Sequence, residues 1–180
     1  VRARLADEAL REVPFSVNVI GGQEMEERRL FSVEEALWQI PGVEMNSNGG
    51  DSWNANVRIR GVGALQKVSG EDASVGLTVD GQPMLVNNMS SLAFDLERVE
   101  VLRGASAFLN GASPAGGGIG GSINLLPKRA PNEPLNRVSF GVGSGGSTQL
   151  AADIARRFGP DGSTGVRLNA ATHSGGTAIN

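Results

Sequence analysis

Residues 95–128 constrain the fold of this chain more than any other part of its sequence. Residues 95–104 alternate apolar and polar side chains, which is typical of a half-buried β-strand. A sharp turn, a one-turn helix and a cluster of glycines are predicted next, and a second strand then ends near Lys128. The stretch contains neither a nucleophile–base pair nor a set of metal ligands, so it points away from catalysis.

The composition of the chain excludes several classes of protein. Its 180 residues carry a net charge of −3 and no cysteine. An acidic chain of this kind is not expected to bind nucleic acid, and it lacks the cysteines of a disulfide framework or a cysteine zinc site. No apolar run reaches about 18 residues, so we expect no transmembrane helix. The single histidine, His173, predicts no metal site, and we expect no resident cofactor.

The strongest local signal in the first half of the chain is a helix start. Ser32 and Glu35 have the spacing of a capping box, in which each side chain binds the backbone amide of the other residue. Apolar residues then recur at helical spacing until Pro41 and Gly42, which stop the helix. The sequence therefore predicts a short helix with one buried face.

Short alternating runs predict the strands of the same domain, at residues 15–20, 57–61 and 75–79. Asp80 and Gly81 predict a tight turn after the last of these strands, and residues 43–56 predict a polar loop. Residues 1–11 read as a linker. We therefore expect residues 12–130 to form an α+β domain with a small mixed sheet, short helices and long loops.

The texture of the sequence changes after Pro131. Three segments of about 8–11 residues alternate apolar side chains with small or polar ones, and they are separated by Gly- and Ser-rich joints. This pattern is typical of the antiparallel strands of a transmembrane β-barrel, although a water-facing antiparallel sheet alternates in the same way. Because three strands cannot close a barrel, we expect residues 131–180 to be the first, incomplete part of a transmembrane β-barrel in a longer protein.

Six pieces of the sequence, in order, resemble the plug domain of TonB-dependent outer-membrane receptors, and most closely the ferric-siderophore branch. They are residues 12–20, 32–43, 58–61, 78–83, 97–104 and 111–128. The chain departs from the usual family pattern in three places, with Ala105 for Pro, Asn110 for Tyr and Pro127 for Thr.

The resemblance implies a function in transport. It implies a plug inside the lumen of a barrel in the outer membrane of a Gram-negative bacterium, which imports a scarce substrate, expected to be a ferric siderophore. The energy would come from the partner protein TonB, which pulls on a short box ahead of the plug. No such box is visible before Val13, and the resemblance implies no enzymatic activity.

The resemblance also implies roles for individual residues. Arg60 and Arg103 match positions that form ion pairs between plug and barrel, and the alternative is a pair within the domain, with Glu97 or Glu100. Polar loops of the plug would face outward and contact substrate. The candidates there are Asn48, Trp53, Gln66, Lys67, Asn87, Asn88 and Met89, each of which is otherwise an ordinary solvated loop residue.

Two other functional interpretations of the sequence stay open at this point. The chain could be a soluble, Gly-rich α+β ligand-binding module with no membrane role. The glycines around Gly116–Gly118 could also suggest a phosphate-binding loop, but they open no long helix and no Lys-Ser/Thr follows at the required spacing. A long continuation of alternating strands beyond this chain would favour the receptor over the soluble module.

Overall fold

The computed structural model describes residues 16–47, 55–63, 75–83, 93–104, 120–143 and 146–174. Contacts divide the chain into two units, Val1–Pro127 and Lys128–Asn180, and each unit has its own β-sheet.

The N-terminal unit combines short helices with short strands. In chain order its elements are β1 (Val17–Gly21), α1 (Gly22–Glu27), α2 (Val33–Trp38), β2 (Val43–Ser47), β3 (Ala55–Ile59), β4 (Val75–Val79), β5 (Gln82–Pro83), a 3-10 helix (Ala93–Asp95), β6 (Leu96–Arg103) and β7 (Gly121–Pro127). Five strands form one sheet in the order β1-β6-β7-β4-β5. The β4–β7 pair is parallel and the other pairs are antiparallel, so the predicted mixed sheet is confirmed.

Helix α2 begins as the sequence predicts. The Ser32 hydroxyl accepts a hydrogen bond from the Glu35 amide at 3.1 Å, and the Glu35 carboxylate accepts from the amides of Ser32 and Phe31. The capping box therefore supplies acceptors for amides that have no partner within the helix. The apolar face of the helix, with Val33 and Leu37 fully buried, packs into the core of the sheet.

The core lies between the helices and one face of the five-stranded sheet. Strand residues Ile20, Val99, Val101, Ile123 and Leu125 are all nearly inaccessible to solvent and pack against α1 and α2. Burying each such side chain contributes about 1.5–3 kcal/mol. The alternation predicted for residues 95–104 therefore marks the core-facing side of β6.

The prediction of a polar loop over residues 43–56 is wrong at both ends. Strands β2 and β3 pair there as an antiparallel hairpin, with Val43 opposite Ile59 and Ser47 opposite Ala55. Most residues of β2 are polar, so its sequence does not show the alternation of a strand. The strand forms because Val43 of β2 and Ile59 of β3 are buried in the core and stabilise the pair. The strand predicted at residues 57–61 also ends earlier than expected, because Arg60 and Gly61 have φ angles of 53° and 78° and turn the chain.

A two-residue turn at Asp80 and Gly81 joins β4 to β5, as the sequence predicts. Both residues have positive φ, 50° and 81°, and Val79 pairs with Gln82 across the turn. Positive φ at both central positions defines the type I′ turn that matches the twist of a hairpin.

The C-terminal unit is a three-stranded antiparallel meander. Its strands are β8 (Leu135–Val142), β9 (Thr148–Phe158) and β10 (Thr164–Ser174), in the order β10-β9-β8. They contain 8, 11 and 11 residues, so the alternating segments predicted after Pro131 are confirmed as strands.

We expect the isolated Val1–Pro127 segment to unfold cooperatively at low denaturant, since its core is small. Leu37→Ala removes a fully buried side chain and should lower the free energy of unfolding by about 2–5 kcal/mol. Trp38→Ala is the matched control, because Trp38 is the next residue on α2 and is 58% exposed. Urea titration followed by circular dichroism measures both variants, and equal losses would contradict the assigned core.

Candidate functional site

The seven loop residues that the sequence nominates for substrate contact all lie outside the described residues. They are Asn48, Trp53, Gln66, Lys67, Asn87, Asn88 and Met89. Their flanking strands are described, however. Residues 48–54 join the paired ends of the β2–β3 hairpin, where Ser47 lies opposite Ala55. Residues 84–92 begin directly after β5, so the Asp80–Gly81 turn fixes where that segment starts.

Arg60 is held in an uncommon backbone conformation. Its φ of 53° lies in the left-handed region, which costs a non-glycine residue about 1 kcal/mol or more. The Arg60 amide donates to the carbonyl of Gly42 at 2.7 Å, and its guanidinium donates to the Ser16 hydroxyl at 3.3 Å. The side chain is exposed. The hydrogen bond from the Arg60 amide to the Gly42 carbonyl therefore fixes the backbone position of an arginine whose side chain extends into solvent.

Arg103 lies at the end of β6 and converges on the same place. Its guanidinium donates a short hydrogen bond to the Asn18 side-chain oxygen, and its amide donates to the Ser16 carbonyl at 3.0 Å. Ser16 and Asn18 are two residues apart at the start of β1. The structure therefore brings both predicted arginines to the beginning of the first strand.

Glu97 and Glu100, the acids considered as partners of these arginines within the domain, both bind Arg98. The distances are 2.8 Å in each case, from Arg98 Nη1 to Glu97 Oε1 and from Arg98 Nε to Glu100 Oε1. Glu100 is completely buried, whereas Glu97 is half exposed. Arg98 thus supplies positive charge to both carboxylates.

A row of buried polar side chains crosses the face of the sheet opposite the core. The Asn124 amide nitrogen donates to Glu100 Oε2 at 3.2 Å, and its oxygen accepts from the Thr78 hydroxyl at 2.9 Å and from the Gly81 amide at 3.1 Å. Glu100, Asn124 and Thr78 lie directly across from one another on β6, β7 and β4. We call these three residues the polar row; it ties the Asp80–Gly81 turn to the centre of the sheet.

Gly121 shows why a glycine is needed at the start of β7. Its φ is 133°, and a Cβ added there would lie 2.2 Å from the Leu102 carbonyl oxygen. Any other residue would clash with the neighbouring strand. At this position the glycine-rich stretch therefore lets two backbone segments pass close together.

The three-stranded sheet has one apolar face. Val138, Phe140, Val142, Leu150, Ile154, Phe158, Val166 and Leu168 all lie on it, and each is more than two fifths exposed. A continuous apolar surface of this size is uncommon on a water-soluble monomer. Arg156 also falls on this face, two residues before β9 ends, and it donates to the Leu135 carbonyl at 3.1 Å and to Asn136 Oδ1 at 3.0 Å.

The opposite face of the same sheet is small and polar, and we call it the polar face. Its residues are Gln149, Ala151, Asp153, Ala155 and Arg157 of β9 with Arg167, Asn169 and His173 of β10. Asp153 is 1% exposed, and its two carboxylate oxygens accept hydrogen bonds from Arg167 Nε and Nη2 at 2.8 and 2.5 Å.

Among the described residues, no group of three or more His, Cys, Asp or Glu could hold a metal ion. None of the helices described is long and apolar enough to cross a membrane.

The profile of the TonB-dependent receptor plug domain matches residues 9–118. This chain belongs to that family. The match contains β1 to β6, the predicted arginines and all seven loop candidates. The soluble binding module considered from sequence is therefore set aside, and the α+β plug fold is confirmed.

Similarity to named relatives extends through the three-stranded sheet. The chain is 37% identical to the ferrichrome receptor FcuA of Yersinia enterocolitica, over 97% of this chain and 22% of the relative. It is 31% identical to the ferrichrome outer membrane transporter/phage receptor of Escherichia coli K12, over 93% of this chain and 22% of that protein. The chain thus spans about a fifth of the length of these relatives.

Solved structures agree with the fold. BauA, the ferric preacinetobactin receptor of Acinetobacter baumannii, superposes with a TM-score of 0.76 at 27% identity, over 98% of this chain and 25% of BauA. FpvA of P. aeruginosa, solved bound to an iron-loaded pyoverdine, superposes with a TM-score of 0.76 at 26% identity, over 92% of this chain and 21% of FpvA. The plug fold of this chain therefore agrees with that of solved receptors.

Sequence reasoning missed the residues that position the arginines and the turn. Ser16 and Asn18 are ordinary strand-edge residues in the sequence, and the polar row joins residues 24 to 46 positions apart. One signal was available: Asn124 interrupts an apolar run in β7, and a polar side chain at the centre of such a strand needs buried partners.

Asn124→Leu tests the polar row, since it leaves the Gly81 amide and one Glu100 oxygen without their partner. We expect the free energy of unfolding of the Val1–Pro127 segment to fall by about 1–3 kcal/mol for each group left unpaired. Gln82→Leu is the control, because Gln82 is exposed on the adjacent strand β5. The assignment fails if denaturant titration gives the two variants the same stability.

Proposed function

We propose that this chain is the plug and the first barrel strands of an outer-membrane receptor that imports a ferric siderophore with energy from TonB. The observation that carries the proposal is the combination of a plug fold with strands whose apolar face is exposed, in one chain that is similar to siderophore receptors over nearly its whole length. The domain division expected from the sequence, with a linker at 1–11, the plug at 12–130 and the barrel from 131, stays a prediction; contacts divide the two units at Pro127 and Lys128.

The names of the relatives favour an iron chelate as the substrate. The first three are receptors or transporters for ferrichrome and ferric pyoverdine. A cobalamin is the second candidate, because the vitamin B12 transporter BtuB of Vibrio vulnificus is 30% identical over 90% of this chain. None of these relatives is named as an enzyme, which supports a transport function without catalysis.

The substrate site is assigned to the loops that leave the sheet of the plug. Residues 48–54, 64–74 and 84–92 contain the seven candidates, and each begins or ends at a strand that the core or the polar row holds in place. Trp53 offers a large apolar surface with one N–H donor, and Lys67 offers a cation for an anionic chelate. A rigid sheet that carries variable loops is the usual way to build a binding site.

Arg60 and Arg103 are assigned to ion pairs between plug and barrel. Arg60 donates to the Ser16 hydroxyl and Arg103 donates to the Asn18 side-chain oxygen, and both of these acceptors are neutral. A guanidinium that becomes desolvated is stabilised far better by a carboxylate, which it binds with two parallel hydrogen bonds. Ser16 and Asn18 would then orient the arginines toward barrel carboxylates.

Ferric chelate binding to the full-length receptor in detergent tests the substrate proposal. We expect one member of a panel of ferric siderophores to quench intrinsic tryptophan fluorescence tightly and selectively. Trp53→Phe should remove a large part of that quenching, whereas Trp38→Phe, which alters an exposed residue on α2, should leave it unchanged.

Selective quenching by cyanocobalamin instead of any iron chelate would transfer the assignment to cobalamin. A protein that remains monomeric and folded without detergent would contradict the receptor assignment.

Thermal and chemical unfolding of the full-length receptor tests the role of Arg103. If Arg103 pairs with a barrel carboxylate, Arg103→Gln leaves a buried charge unpaired and should cost about 3–5 kcal/mol. Asn18→Leu removes only the neutral partner within the plug and should cost about 1 kcal/mol. Equal costs for the two variants would show that Arg103 acts only within the plug.

A further inference from the structure

The segment Lys128 to Pro131 follows β7 and has no regular secondary structure, yet its backbone is bound along its length. Arg167 donates from Nη1 to the Arg129 carbonyl at 2.6 Å. Arg157 donates from Nη2 to the Ala130 carbonyl and from Nε to the Pro131 carbonyl, both at 3.1 Å. Two arginines of the polar face therefore bind three consecutive carbonyl groups. We call residues 128–131 the strap.

The two arginines are themselves held in place by the sheet. Arg157 uses its remaining group, Nη1, to donate to the Gly162 carbonyl at 2.9 Å, in the turn between β9 and β10. Arg167 binds Asp153 through two parallel hydrogen bonds, and the Asp153 side chain is only 1% exposed. Because a guanidinium is planar and rigid, hydrogen bonds from some of its N–H groups fix the direction of the others.

The strap contributes a charge of its own to this cluster. Lys128 Nζ lies 3.9 Å from Asp153 Oδ2, and the Lys128 side chain is only 9% exposed. Asp153 thus faces two cations, one from β10 and one from the strap. Because a buried carboxylate is stable only when its charge is compensated, the cluster disfavours departure of Lys128 from the sheet.

Close packing adds to the polar contacts. Gly165 of β10 lies under the strap, and a Cβ added to it would be 2.8 Å from the Cβ of Ala130. A larger residue at position 165 would require the two segments to move slightly apart. Pro131 and Pro134 restrict the backbone where the strap leads into β8, which lowers the conformational entropy lost on binding.

We propose that the strap stays bound to the polar face of the β8–β10 sheet while the plug rearranges during import, so that movement of the plug ends at the Pro127–Lys128 bond. Arg157, Arg167 and Asp153 are the positioning residues of this anchor. The boundary between the two units falls at the same bond. This inference rests on the proposed transport function only for its second test; the binding of the strap itself is tested without transport.

The first test measures how accessible the strap is in the purified full-length receptor. A single cysteine at position 130 (Ala130→Cys) should react slowly with a maleimide reagent, and Arg157→Gln or Arg167→Gln should raise the rate about tenfold, since each removes hydrogen bonds to a charged donor. Arg156→Gln is the matched control, because it removes the neighbouring arginine from the apolar face. Equal rates in all these backgrounds would overturn the anchor.

Arg167→Gln also leaves Asp153 without its fork, and this variant could fail to fold. The double variant Asp153→Asn/Arg167→Gln removes both charges together and is measured in its place if necessary. It should raise the reaction rate of the cysteine at position 130 by a similar factor, and an unchanged rate in this variant would also count against the anchor.

The second test locks the strap to the sheet in cells. Ala130→Cys with Gly165→Cys places two Cβ atoms 2.8 Å apart, and a shift of less than about 1 Å reaches the separation of a disulfide. We expect the oxidised receptor to import its substrate as fast as the reduced form, within about twofold. Import that stops on oxidation and returns on reduction would show that the strap must leave the sheet.

The outcomes of the second test separate the two proposals. Wild type and both single-cysteine variants are assayed alongside, and absence of import in the wild type rejects the transport function while the accessibility test still decides the anchor. If the disulfide does not form in the oxidised cells, the two positions are not adjacent as the structure has them, which also counts against the anchor.

Discussion

The hydrogen bonds of Asn124 are the constraint on which the sheet of the plug depends. Its amide group binds Glu100 on one neighbouring strand, Thr78 on the other and the amide of Gly81 in the turn beyond. A shift of β7 by one residue would move Asn124 into the apolar core and leave Glu100 buried without this donor. The polar row therefore selects one register for three strands. The positions of the strand ends, from which the loops begin, follow from that register.

The sequence predicts the parts of this fold that are encoded locally. The capping box of α2 and the Asp80–Gly81 turn depend on residues at most three positions apart, and both appear as predicted. Strand β2 was missed because its Glu, Asn and Ser residues resemble a loop, and it is a strand only through its pairing with β3 and the burial of Val43. Tertiary contacts decide the structure of such a segment, and no local pattern contains them.

The candidate site also has a part that the sequence predicts and a part that only tertiary contacts determine. Arg60 and Arg103 were identified from short motifs at strand ends, and the structure places them together at the start of β1. Their contacts, Ser16 and Asn18, lie 44 and 85 residues away in sequence and could not be paired with them by any spacing rule. The arginines are thus predictable as residue types at special positions, whereas their geometry is a property of the assembled sheet.

The two units meet in sequence at a bond that lies between two sets of polar contacts. On one side, the polar row holds β7 through Asn124, three residues before Pro127. On the other side, Arg157 and Arg167 hold the carbonyls of the three residues that follow Lys128. Strand pairing holds Leu126 and Pro127 to β6, so contacts within the plug end at Pro127 and contacts within the second sheet begin at Lys128. The bond at which we propose that movement of the plug ends is therefore set by the placement of hydrogen bonds and not by a flexible composition.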